Sequence, residues 1–179
     1  MIETPEFSRK FRLDQISAAG SDHRLEANAA ERDALARRFG ILGIASLVAE
    51  IRVKAIAAGT MVRVKGRLTA EVTQACVVTL EPVEQKVDET FELTFREAVE
   101  EDDEDGEIEF SMEEDDPPDA IVNGMIDVGE AVAEHLALAL DPFPRKAGAR
   151  VPAAATAAAP VEEKPNPFAV LAALRQKKE

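Results

Sequence analysis

Between Ala45 and Phe95 the chain alternates apolar and polar residues with a period of two, and this alternation constrains the fold more tightly than any other feature. In the first stretch, Leu47, Ala49, Ile51, Val53 and Ala55 are apolar while Glu50, Arg52 and Lys54 intervene, the pattern of a half-buried strand. After Ala58-Gly59-Thr60 a second strand places Val62, Val64, Leu68, Ala70, Val72, Cys76, Val78 and Leu80 on one parity, with Arg63, Lys65, Arg67 and Glu71 on the other. Gly66 is expected to mark a bulge or bend in it. A third strand, entered through Leu80-Glu81-Pro82-Val83, turns Val87, Phe91, Leu93 and Phe95 inward and Lys86, Asp88 and Glu92 outward. Three strands with short connections predict an antiparallel meander.

Helical signals flank the strands. Asn28 with Glu31 forms a capping-box pattern ahead of Ala29 to Phe39, with Arg37 and Arg38 in the last turn and Gly40 as the stop. Asp127 with Glu130 repeats the signal, and Val128, Val132, Leu136 and Leu140 follow at spacing four until Pro142 and Pro144. Phe7, Phe11 and Leu13, interleaved with Arg9, Lys10 and Arg12, predict a short N-terminal strand; Ile121-Val122 predicts another. The expected class is α+β: an antiparallel meander packed with two main helices over residues 1–144. A flexible Ala/Pro-rich linker follows over 145–165, and then a short amphipathic segment over 166–179. In that last segment Asn166 suits an N-cap, Pro167 the first turn, and Phe168, Leu171 and Leu174 share one face, so these five residues are candidates for docking a partner. No internal repeat is evident.

Charge is distributed unevenly. Residues 1–67 carry 12 basic and 8 acidic side chains, residues 68–141 carry 2 and 24, and residues 142–179 carry 7 and 3, which together give the net −14. Such a field repels phosphates at long range, so any nucleic-acid contact must be local. The run Glu100 to Asp105, followed by Glu113 to Asp116, reads as an exposed acidic loop over about 100–118, within which Ile108, Phe110 and Met112 alternate as a weak strand. Met-Ile-Glu-Thr-Pro at the start is neither basic nor apolar, and no apolar run reaches the length of a membrane span, so a soluble cytoplasmic protein without membrane contact is expected.

The chemical inventory argues against an enzyme. One cysteine and two histidines cannot form a four-ligand zinc site of Cys and His alone, and no Walker, GxGxxG or HExxH motif is present. The acidic run lacks the ligand spacing and glycine of a calcium loop. No cofactor or metal is expected. Cys76, on an apolar parity with no basic residue near it in sequence, reads as a buried structural thiol. His23 reads as a solvated loop residue and His135 as a partly buried, hydrogen-bonded one. Base-stacking RNA modules need aromatic platforms, whereas this chain has no Trp or Tyr and its eight Phe are mostly on inward parity. What remains is a basic cluster, Arg52, Lys54, Arg63, Lys65 and Arg67, with Arg37 and Arg38 at a helix end. It could hold backbone phosphates, or it could be the solubilising charge of a sheet face.

Three stretches together resemble the YceD family, the large ribosomal RNA subunit accumulation proteins. They are Gln74 to Val83, Ile126 to Glu130 running into Leu138 to Pro144, and the terminal Asn166-Pro167-Phe168-Ala169-Val170-Leu171-Ala172-Ala173-Leu174. The resemblance covers roughly residues 45–178 and is most specific in the terminal motif. It implies a small bacterial non-enzymatic factor, with chloroplast relatives, needed for accumulation of 23S ribosomal RNA and hence of the large subunit. The implied partners are that RNA or its precursor, ribosomal proteins, or both. Many relatives carry Cys-x-x-Cys at the strand turn. Here Cys76 matches and Thr79 stands at the second position, so Cys76, Leu80, Glu81 and Pro82 carry over as a structural turn without metal. An alternative function is an acidic escort that shields a basic ribosomal protein without touching RNA. A hydrolase or metal enzyme has the least support.

Overall fold

The computed structural model describes residues 5–97 and 118–150, and the elements all fall within one compact unit, Met1–Ala147. Their order is β1 (Lys10–Arg12), β2 (Ser21–Glu26), α1 (Ala29–Phe39), β3 (Gly43–Ile56), β4 (Met61–Ala75), β5 (Pro82–Glu97), β6 (Asp119–Ile121), β7 (Met125–Asp127) and α2 (Val128–Ala139). The fold is α+β. A five-stranded sheet runs β2-β3-β4-β5-β6, antiparallel except for the last pair, where β6 joins β5 in parallel; β1 and β7 form a separate two-stranded ribbon.

The long alternation becomes the central meander β3-β4-β5. Leu47, Ala49, Ile51 and Val53 of β3 and Val62, Val64, Leu68, Ala70 and Val72 of β4 are buried on its inner face, with Val87, Phe91 and Phe95 of β5. Leu93, expected inward, is only half-buried. α1 lies against β3 and α2 against β4 and β5, closing the core with Leu35, Val128, Val132 and Leu136. Each of these fully buried Leu or Val side chains contributes about 1.5–3 kcal/mol relative to exposure.

Both helix starts carry the predicted cap, with the reciprocal box complete at Asn28 and only the Asp127 half of it formed at α2. Asn28 Oδ1 accepts the Glu31 N–H at 3.0 Å while Glu31 Oε2 accepts the Asn28 N–H at 2.8 Å, and Gly40 ends α1 at φ +66°. Asp127 Oδ1 accepts the Glu130 N–H at 3.3 Å at the start of α2. The other end of α2 is sewn to the sheet by two glutamines. Gln74 donates to the Asp141 carbonyl at 3.0 Å, and Gln85 donates to the Ala139 carbonyl at 3.2 Å while accepting the Asp141 N–H at 3.3 Å. These side chains satisfy groups that a helix end leaves unpaired.

Several expectations require correction. Residues 21–26 are the edge strand β2 rather than a loop, so His23 stands in a strand with its ring edge-on to Phe11 at 4.8 Å. Gly66 is no bulge, because the pairing Ile51↔Gly66↔Phe91 runs through it without a shift; the irregularity lies at Ile44/Ser46. The glycine is there because a Cβ would stand 2.6 Å from the Phe91 ring. β4 ends at Ala75, so Val78 and Leu80 do not continue its inward row. Leu80 is 77% exposed at φ +60°, its N–H bonded to the Cys76 carbonyl at 2.9 Å. The N-terminal strand is limited to three residues, and Leu13–Gln15 form a 3₁₀ turn. The predicted strand at Ile121-Val122 is displaced to Asp119–Ile121, and the left-handed pair Asn123-Gly124 then turns the chain into β7. His135 is half-buried, but its contact is a stacked ring, Phe91 at 4.8 Å, and among the described residues no hydrogen bond to it is formed. The acidic loop with its weak strand, most of the Ala/Pro-rich stretch and the terminal amphipathic segment lie outside the described residues.

Candidate nucleic-acid interface

The outer face of the meander carries the side chains that alternate with the core. Arg52 and Lys54 project from β3 and Arg63, Lys65 and Arg67 from β4, and all five are exposed. Antiparallel register sets them in rows across the strands, Arg52 opposite Lys65 and Lys54 opposite Arg63. Neighbouring strands are about 4.8 Å apart and same-face residues about 6.8 Å apart along a strand, so the cluster covers a compact patch.

Like charges placed opposite one another on a sheet repel, and the flanking strands supply the compensation. Glu92 on β5 takes both Arg63 at 3.2 Å and Lys65 at 2.7 Å, Asp22 on β2 takes Arg52 at 2.7 Å, and Asp88 on β5 accepts from both Nε and Nη2 of Arg67. The Lys65 ammonium holds the Glu92 carboxyl below the usual range, and Arg67 does the same for Asp88. Lys54 has no ion-pair partner among the described residues. Neither has Arg96, which continues the patch from β5 beside Met61 and which the sequence reading did not include. Its signal was available, since Arg96 shares the outward parity of Lys86, Asp88 and Glu92.

At this end of the face, among the described residues, five cations, Arg52, Lys54, Arg63, Lys65 and Arg96, stand against two carboxylates, Asp22 and Glu92. Towards the β4–β5 turn the balance reverses, with Glu71, Glu81, Glu84 and Asp88 against Arg67, Lys86 and Lys146. Exposed ion pairs are worth about 0–1 kcal/mol, so a phosphate can take the place of Glu92 or Asp22 at small cost. Phe91 and Phe95 point into the core, which leaves the patch suited to phosphates and unsuited to stacking bases. Arg37 and Arg38 do not join it. Arg38 is engaged at the other face, bridging Glu6 at 3.1 Å and Glu130 at 2.7 Å.

The turn Cys76–Pro82 is a separate structure. Cys76 is buried, and its Sγ accepts the N–H groups of Lys146 and Val78, each at 3.4 Å. The Lys146 N–H, with the Thr79 hydroxyl and the N–H groups of Val78 and Thr79, lowers the thiol pKa to about 6 against the opposing effect of burial. Glu81 carries the Lys146 ammonium at 3.0 Å, and Pro82 opens β5 opposite Ala75. Among the described residues no group of three His, Cys, Asp or Glu side chains converges on a metal position. No helix there is long and apolar enough to cross a membrane. Asn166, Pro167, Phe168, Leu171 and Leu174 lie outside the described residues.

No curated protein and no solved structure matches the chain. One family profile does, described as Large ribosomal RNA subunit accumulation protein YceD, over residues 64–175. The match takes in Lys65, Arg67, Arg96, the Cys76–Pro82 turn, α2 and the terminal Asn-Pro-Phe motif, and leaves out Arg52, Lys54 and Arg63. It spans more than half of the sequence, and the chain belongs to the YceD family of large ribosomal RNA subunit accumulation proteins.

Proposed function

We propose that the protein is a non-enzymatic cytoplasmic factor that supports 23S ribosomal RNA accumulation and large-subunit assembly by holding RNA backbone transiently on the outer face of β3-β4-β5. The observation that carries this reading is the direct cross-strand opposition of Lys54 to Arg63 and of Arg52 to Lys65, with Arg96 alongside. Sheet stability alone disfavours such pairs, whereas a phosphate chain crossing the strands would neutralise them. Contacts of this kind position RNA without reading its sequence, which suits a factor that acts on a large, folded transcript.

The test is ribosome profiling of a deletion strain. A lowered ratio of large to small subunits, a lowered level of mature 23S RNA, and failure of a Lys54→Gln/Arg63→Gln/Arg96→Gln variant to restore them are the expected results. Unchanged profiles at several temperatures would refute the reading. The alternative, an acidic escort of a basic ribosomal protein, draws support from the net charge of −14. Complementation by that same variant, together with loss of salt-sensitive RNA binding, would favour it.

A further inference from the structure

A second surface lies away from the outer face. Between the start of α2, the β6–β7 hairpin and the end of β5 runs a groove of about 490 Å³. Apolar residues line it, among them Ala120, Val122 and Met125, and Val122, beside the hairpin turn, is 62% exposed. Carboxylates line it from two elements, Asp119 on β6 and Glu134 on α2. Both are exposed and neither is ion-paired among the described residues. Glu130 adds a third, its Oε1 holding Arg38 while its Oε2 is buried without a partner among the described residues, and Asp127, which accepts from Ser8 and Arg9, is the fourth. Lys10 is the one cation among the lining residues.

The lining carries four carboxylates and one cation, a balance that repels phosphates and draws in polycations. The sequence joining β5 to β6, residues 98–117, adds twelve carboxylates and no cation.

We infer that this groove binds an extended segment of a basic polypeptide, with apolar side chains against Val122 and Met125 and Lys or Arg side chains over Asp119 and Glu134. Carboxylates on two elements together with exposed apolar residues in one groove call for cations and apolar groups carried on one chain, which a small amine cannot supply. The assignment goes beyond the RNA contact and uses none of its residues.

Fluorescence anisotropy with the full chain tests it, using a labelled twelve-residue peptide of alternating Lys and Val, its Lys/Ser and Glu/Val counterparts, and a single-stranded RNA. The Lys/Val peptide is expected to bind most tightly. Its affinity should fall at least about tenfold in Asp119→Lys/Glu134→Lys and in Val122→Asp, and should be unchanged in Lys54→Gln/Arg63→Gln. Thermal melts check that each variant folds, and Asp119→Asn/Glu134→Gln, expected to lose about threefold, replaces any that does not. Equal binding by the groove variants would overturn the inference, because attraction to the carboxylate-rich connection would then suffice. So would a Lys/Ser peptide that binds as well as Lys/Val, an absence of peptide binding, or loss of RNA binding in Val122→Asp.

Discussion

A methyl group at Gly129 would stand 2.4 Å from the carbonyl oxygen of Phe7 and 2.6 Å from the Arg9 nitrogen, so the N-terminal segment crosses α2 at a point where only a glycine fits. Two further bonds hold the crossing: Asp127 accepts the Arg9 N–H at 2.7 Å, and Arg9 accepts the Val128 N–H at 3.1 Å. Alanine ordinarily favours a helix by about 1 kcal/mol over glycine. Here backbone atoms block it, and Gly129→Ala is expected to destabilise the fold by about 2–4 kcal/mol. Denaturant titration should show a lower midpoint with an unchanged slope.

The Gly66–Phe91 contact yields a coupled pair. Gly66→Ala should cost about 1–3 kcal/mol, because the new Cβ meets the Phe91 ring and the Ile51 side chain. With Phe91→Leu already present the same change should cost less. A double-mutant cycle would give a coupling of at least about 0.5 kcal/mol, whereas independent, additive costs would refute the account.

Cys76 makes stability depend on pH. Its folded pKa of about 6 lies below the unfolded value of about 8.5, so its contribution is fully present above the unfolded value and is lost as pH falls through about 6. The gap in Tm between the wild type and Cys76→Ala should therefore narrow from pH 9 to pH 5.5. A constant gap would mark an ordinary thiol.

Neutralising Lys54, Arg63 and Arg96 together should reduce the salt slope of RNA binding by about two to three. Arg67→Gln should change it by less than one, since Asp88 already accepts from Nε and Nη2 of that guanidinium. Filter binding across a salt series separates the two. Equal effects would mean that the face acts as diffuse charge.

What could be read from the residues was whatever depended on near neighbours. The three long strands show in their alternation, and the caps at Asn28 and Asp127 show because each is completed three residues on. β2 did not show, since Leu25 is its one deeply buried side chain and its outer face is tied by the cross-strand pairs Asp22–Arg52 and Arg24–Glu50. The reason for Gly66 lies in Phe91, twenty-five positions away, and the work of Gln74 and Gln85 lies in a helix end more than fifty positions away. Arg96 was missed although its parity was plain, because its cationic neighbours come from another strand.

The Phe7–Arg9 crossing also orders events in time. Its partners are about 118 positions downstream, so Phe7 to Arg9 have nothing to close against until β7 and α2 have emerged. The meander, built from adjacent segments, can form earlier, whereas a contact of such long separation forms late. During synthesis the chain therefore holds a sheet whose inner face still lacks the cover of α2, and the N-terminal strand docks last, as a latch over a helix that has only just been made.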